Sequence, residues 1–298
     1  MSRISVVGSI NVDLVVKTKK RPMKGETVFG EKFTLKPGGK GANQAVAISR
    51  LEGKVKMFGC VGDDIYSNMM LENLKTNNVN TKNIKKIKNI STGIASITVS
   101  ENDNSIIVVK GANDYVDIEY IKSVEDEILK SDYILMQNEI PIDTIKYVVS
   151  LCLKNNIISI VNPAPAEKMD FKTLEMIDYL TPNEHEALKI IEGINEVDEI
   201  LKKYPKKIIV TLGEKGVKYY DGKYIKNAPA NKNINIVDTT GAGDTFSGAF
   251  VKAISEKMSI DEAVKFSQVA SVMAIEKFGA QEGMPTLKEL ENRMKIEK

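Results

Sequence analysis

Short apolar runs recur along the chain, each closed by turn residues: Ile4–Gly8, Val55–Val61, Tyr133–Met136, Ile157–Val161 and Ile208–Leu212. Runs of this length, rich in Val and Ile and bounded by Gly or Pro, carry the signature of buried strands. Between them the apolar positions change to helical spacing. Gly41–Leu51 has Ala42, Ala45, Val46 and Ile48 apolar, Asp117–Leu129 reads as a second helix, and Ile142–Lys154 repeats the pattern with Ile145, Val148, Val149 and Cys152. Strand and helix in alternation predict an α/β fold: a central, mostly parallel sheet with helices on both faces.

Two segments break the rhythm. Leu14–Leu35 and Thr92–Val109 alternate along strands and contain the turn signals "RPMKGE" and "SENDN"; the second segment reads as a β-hairpin. So small a sheet is not stable alone, so the two insertions predict a small β-sheet lid over a cleft at the strand ends. The expected division is an α/β body of residues 1–13, 36–91 and 110–298 with lid insertions at 14–35 and 92–109. Apolar alternation on the lid also predicts pairing with a second copy, a homodimer. After Val237 the pattern is mostly helical through Phe278, then a short polar helix starts at Thr286.

Composition narrows the chemistry. The chain has 298 residues and a formal net charge of +2, which gives no global case for nucleic acid. The run Lys82–Lys88 alternates with Ile84 and Ile87 and reads as a solvated face. Cys60 and Cys152 read as small buried hydrophobes, and the single histidine, His185, excludes His-rich metal sites. The start of the chain lacks a signal-peptide pattern and no run approaches the ~18 apolar residues of a membrane span. A soluble, cytoplasmic protein is the expectation.

One stretch carries the candidate chemistry: "DTTGAGDTFSGAF", Asp238–Phe250. Glycines at 241 and 243 allow backbone N–H groups to converge at the start of a helix, where unpaired donors and the helix dipole favour an anion. Asp244 sits in that first turn. A carboxylate repels a phosphate, so two readings stand. Asp244 is a capping residue, or it orients a substrate hydroxyl and takes its proton while Gly241, Ala242, Gly243 and Asp244 offer amides to a phosphoryl group.

Five further stretches fall in order with this one. "GSINVD" (Gly8–Asp13) and "PGGKGANQAVA" (Pro37–Ala47) lie near the start, and "NPAPA", "TPNEHE" and "TLGEKG" follow between Asn162 and Gly216. Together they resemble the ribokinase-like sugar kinases, also called the phosphofructokinase-B family, over nearly the whole chain. Neither a P-loop ending nor a dinucleotide fingerprint is present, which argues against P-loop and nicotinamide enzymes.

The resemblance implies a Rossmann-like ribokinase fold and transfer of the γ-phosphoryl of MgATP to the 5-hydroxyl of D-ribose. It implies Asn11, Asp13, Gly39, Lys40, Asn43 and Glu139 around the sugar, together with Asp244. It implies Asn183, Thr211, Gly213, Gly216 and Gly243 at the nucleotide, and Glu186 at Mg²⁺ through water. Asn183 and Glu186 also fit the spacing of a capping box. A K⁺ site is implied at Asp238 and Thr240, completed by backbone near Ala274, Lys277 and Gly279. Gly283 stands where such kinases often carry serine. Other sugars or nucleosides (deoxyribose, fructose, adenosine) remain alternatives, as does a non-catalytic sugar-binding protein.

Overall fold

The computed structural model describes residues 2–100, 103–230 and 234–296. The strands in chain order are β1 (Ile4–Val7), β2 (Asn11–Thr18), β3 (Gly30–Gly38), β4 (Val55–Gly62), β5 (Asn80–Ile87), β6 (Gly93–Ser100), β7 (Asp103–Val109), β8 (Tyr133–Gln137), β9 (Ile158–Asn162), β10 (Tyr179–Leu180), β11 (Ile209–Thr211), β12 (Val217–Tyr220) and β13 (Ile225–Ala228). Six of them form an all-parallel sheet in the order β10-β9-β8-β1-β4-β5.

Side chains alternate across this sheet, and each face has its own core. Ile4 and Val6 of β1, with Tyr133 and Leu135 of β8, pack toward the helices Lys40–Arg50, Ala242–Ser255 and Ile260–Ile275. Val7, Ile134 and Met136 pack the other way, toward the helix Ile142–Asn155 and its neighbours. Burial on both faces explains why these strands read as continuous apolar runs.

The predicted small sheet forms as β3-β2-β6-β7, with β2 and β6 parallel and the outer pairs antiparallel. β2 begins at Asn11, so Asn11 and Asp13 belong to this sheet. The turn between β6 and β7, read from "SENDN", includes residues 101 and 102, which lie outside the described residues, as do the chain-end residues of the expected division. A separate antiparallel sheet, β11-β12-β13, abuts the parallel one through single bridges Leu180–Ile208 and Asn183–Thr211.

The order of the parallel strands fixes the cleft. Chain progression runs from β1 outward to β4 and β5, then reverses to β8, β9 and β10 on the other side. Crevices open at the carboxyl ends of strands where such a reversal occurs. Ser9, Glu139 and Asn162 stand there, just past or at the ends of β1, β8 and β9. Among the described residues no helix is long and apolar enough to cross a membrane.

Candidate active site

Two glycine turns enter helices at this cleft, and they differ in one respect. The Lys40–Arg50 helix begins at Gly39. Its first amides are all taken: Lys40 N–H donates to Glu139 Oε2 at 2.9 Å, Gly41 to Ser9 Oγ at 3.2 Å, Ala42 to the Ser9 carbonyl at 2.9 Å and Asn43 to the Gly39 carbonyl at 2.8 Å. The Ala242–Ser255 helix begins at Gly241, whose φ of +80° suits glycine. There the N–H groups of Gly241, Gly243 and Asp244 have no acceptor among the described residues. Only Ala242 of the four expected donors is engaged, by the Thr239 carbonyl at 3.3 Å. That bond closes a turn and occupies this amide. The open donors sit at the positive end of a 14-residue helix, an arrangement suited to a phosphate.

Asp244 is buried, 7% exposed, yet faces this turn. Asn43 Nδ2 donates to its Oδ2 at 2.9 Å and Gln44 Nε2 to its Oδ1 at 3.0 Å. Each oxygen therefore takes one fixed donor and keeps acceptor capacity. Gln44 in turn reaches Asn162 Oδ1 at 3.1 Å and accepts from Gln137 Nε2 at 2.7 Å, while Gln281 Nε2 holds Asn43 Oδ1 at 2.9 Å. Gln44, Gln137, Asn162 and Gln281 were not singled out as site residues by sequence reasoning. Their one signal was a polar side chain at an otherwise buried position, as with Gln44 between Asn43 and Ala45.

Asn11, Asp13, Gly39, Lys40, Asn43 and Glu139 gather on the near side of this carboxylate. Asn113 Nδ2 holds Asn11 Oδ1 at 2.7 Å. Gly38 and Gly39 are needed for close approach: a Cβ on Gly38 would lie 2.2 Å from Asp13 Oδ1, and one on Gly39, at φ +88°, 2.7 Å from Asn11 N. Glu139, with the weakest sequence signal of the group, accepts from Ser9 Oγ at 2.5 Å as well as from the Lys40 amide. Burial, then the charges of Glu139 and Asp244, push the Asp13 carboxyl up to about 7. Burial works against the charge on Lys40, but Asp244, Glu139 and Glu186 outweigh it and hold its ammonium above the ordinary lysine value.

Beyond the open turn lie two adjoining cavities. One of about 250 Å³ is lined by Lys40, Asn183, Glu186, Thr211, Gly243 and Asp244 among others. The second, about 760 Å³, runs past Thr211, Gly213, Gly216 and Gly243 to apolar walls at Ile236 and Val272. Gly243 lines both, and a Cβ there would meet nothing within 4 Å. Glu186 also forms a capping box: its Oε2 accepts from Asn183 N–H at 2.8 Å and Asn183 Oδ1 from Glu186 N–H at 2.8 Å. The capping-box reading of this pair is met, and the capped carboxylate also borders the smaller cavity; burial raises its pKa.

Asp238 spans the gap between the open turn and the chain's last bend. Its Oδ1 accepts from Thr240 N–H at 2.9 Å and its Oδ2 from Gly279 N–H at 3.0 Å. Burial alone would raise this carboxyl, but those bonds and Lys36 hold it below the ordinary range. Ala274 stands by through its carbonyl, which a Cβ on Gly283 would approach to 2.1 Å. Glycine is thus the residue this packing admits at 283. The Lys277 side chain points away to Glu289, 3.6 Å off, leaving only its backbone for the region. A low-pKa carboxylate beside helix-end carbonyls is a donor set that fits a monovalent cation, and Glu186 bordering a phosphate-sized cavity fits Mg²⁺ held through water.

The description "pfkB family carbohydrate kinase" fits residues 1–287. The chain belongs to this family. It is 45% identical over 296 residues to a ribokinase of Lactococcus lactis, with 99% of this chain and 98% of that one covered. Among solved structures, a ribokinase of Thermotoga maritima superposes with a TM-score of 0.91 at 36% identity, covering 99% of this chain and 100% of the other. An Arabidopsis thaliana ribokinase complexed with ribose and ATP superposes with a TM-score of 0.88 at 28% identity, covering 99% of each. The protein is therefore an ATP-dependent sugar kinase.

Proposed function

We propose that this kinase transfers the γ-phosphoryl group of ATP to the 5-hydroxyl of D-ribose, giving D-ribose 5-phosphate and ADP. One observation carries the reading: a carboxylate clamped by Asn43 and Gln44 stands beside helix-start amides that no protein group occupies. The relatives called ribokinase and the ribose-and-ATP complex supply the substrate.

In this mechanism Asn11, Asp13, Lys40, Asn43 and Glu139, with the backbone of Gly39, hold the sugar hydroxyls. The 5-hydroxyl donates to Asp244. Its oxygen forms the new bond to the γ-phosphorus, the bond to the bridging oxygen breaks, ADP leaves with that electron pair, and the hydroxyl proton passes to Asp244. The N–H groups of Gly241, Gly243 and Asp244 receive charge growing on the phosphoryl oxygens, a stabilisation that needs no reorganisation. The adenosine lies past Thr211, Gly213 and Gly216. Mg²⁺, when bound through Glu186 and Asn183, supplies charge neutralisation at the phosphates. K⁺, when bound at Asp238 with the backbone of Thr240, Ala274, Lys277 and Gly279, steadies the turn beneath the anion site. The lid, residues 14–35 and 92–109 with the strand ends beside them, covers the sugar and pairs with a second copy. The setting is the cytoplasm.

Fructose, deoxyribose and adenosine are the competing acceptors. Buried polar groups left unpaired penalise a substrate lacking a hydroxyl. ADP release is measured with each sugar, with and without K⁺. Ribose is expected to give the highest kcat/KM and K⁺ to raise it. A deoxyribose or nucleoside preference would overturn the substrate assignment.

A further inference from the structure

Lys36 lies on β3 directly opposite Asp13 on β2. Opposed residues on antiparallel strands leave the same face of a sheet. The Lys36 side chain crosses from that face to the bend after the Ile260–Ile275 helix. Its Nζ is 3.1 Å from Glu282 Oε1 and 4.3 Å from the centroid of the Phe278 ring. Gly279 lies beneath: a Cβ there would come within 2.6 Å of Lys36 Nζ and 2.2 Å of Glu282 Oε2. The Gly279 amide is the one that donates to Asp238. One ammonium therefore joins the lid strand, the neighbourhood of a sugar-binding carboxylate and the bend that braces the anion turn.

We propose that Lys36 is a positioning residue for the sugar, fastening β3 to the Phe278–Glu282 bend so that Asp13, its partner across the strands, is held in place. The inference rests on the assignment of Asp13 to the sugar. Electrostatics agree in sign. The charged groups facing Asp13 are Glu139 after β8, Asp244 on the Ala242–Ser255 helix and Glu282 on the bend, all raising its pKa, against Lys36, which lowers it. Lys36 is the lone cation in this set. Its side chain is 18% exposed, so its field is less screened than that of a surface lysine. Nothing in the local sequence marks this residue; it arises because the lid and the C-terminal bend meet across the cleft.

The test compares wild type with Lys36→Ala, Lys36→Arg and Glu282→Gln, and with the Lys36→Ala/Glu282→Gln pair. Lys36→Ala is expected to raise KM for the sugar roughly tenfold, leaving KM for ATP and Tm near wild type. It should also move the acid limb of kcat/KM for the sugar to higher pH, since Asp13 loses its cation. Lys36→Arg should restore most of the loss. Glu282→Gln should raise sugar KM by a smaller factor, and the pair should be no worse than Lys36→Ala alone, as expected for residues acting together. An unchanged sugar KM and pH profile in Lys36→Ala would overturn the proposal. So would a joint fall of Tm, kcat and both affinities, which would make Lys36 a general structural residue. Wild type run in parallel separates the two levels: if it fails to phosphorylate ribose, the substrate assignment fails, whereas an active wild type with an unaffected Lys36→Ala rejects Lys36 alone.

Discussion

Asp13, proposed as a ligand of the sugar, carries a cost in stability at the residue scale. Burial and the carboxylates of Glu139 and Asp244 raise its pKa from 3.8 to about 7. The folded protein thus holds this proton more tightly than the unfolded chain. Folding takes up a proton between those two values, so the contribution to stability is fully present below about pH 4 and is lost as pH rises through about 7. Asp13→Asn should therefore raise the Tm of the sugar-free protein at pH 8 and leave it nearly unchanged at pH 4, by calorimetry. On the proposed assignment of Asp13 to the sugar, the ionised form is the acceptor, so sugar KM should climb as pH falls below about 7. Gln44 makes a different contribution, aiming Asp244 and carrying the buried polar chain behind it. Gln44→Ala should lower kcat roughly tenfold with little change in either KM, because the bond it removes is to a charged group. A rise in KM alone would place Gln44 with sugar binding instead.

At the scale of elements, the helix Ala242–Ser255 does two jobs with two glycines. A Cβ on Gly248 would lie 2.7 Å from Ala47 Cβ, on the helix that carries Asn43 and Gln44. Close approach of these helices lets one supply the clamp and the other the carboxylate. Gly248→Val should destabilise by about 1–3 kcal/mol through overpacking. Gly243 is open, so Gly243→Ala should keep Tm while raising KM for ATP; loss of Tm there would contradict the open turn.

Sequence patterns located most elements because the inner strands of the parallel sheet, β1, β4, β8 and β9, are short, apolar and bounded, whereas the edge strand β5 is polar and half exposed. They erred where a local bond competes with the helix. Asp117–Leu129 reads as one helix but breaks at Val124 into Ile118–Ser123 and Glu125–Ile128, with the Ser123 hydroxyl donating to the Tyr120 carbonyl. Strand partners were also illegible: Ile208–Leu212 gives β11, which pairs antiparallel with β12. At the candidate site, residues beside glycine turns, such as Asn43 and Asp244, were open to reading as neighbours of the cleft, and the structure brings them together. Gln137, Asn162 and Gln281 could not be read, since their meaning comes from three separate segments meeting at Asn43 and Gln44, the pair that holds Asp244.

The whole molecule places the candidate site at the carboxyl ends of the parallel strands, beside the sheet β3-β2-β6-β7 proposed as a lid. The lid leaves Phe33, Leu35, Ile106, Ile107, Val108 and Val109 exposed, apolar area of the kind that marks an interface. Light scattering at micromolar concentration should find two chains per particle, and Ile107→Lys with Val109→Lys should shift it to one. A monomeric wild type would remove the dimer. The central claim is narrower: Asp244 takes the proton of the attacking hydroxyl beside amides that hold the moving phosphoryl group. It is tested most directly by ADP release from Asp244→Asn at saturating MgATP and ribose. Loss of about 10²–10⁴ in turnover, with Tm and nucleotide affinity retained, is the predicted result; turnover within a few-fold of wild type would contradict it.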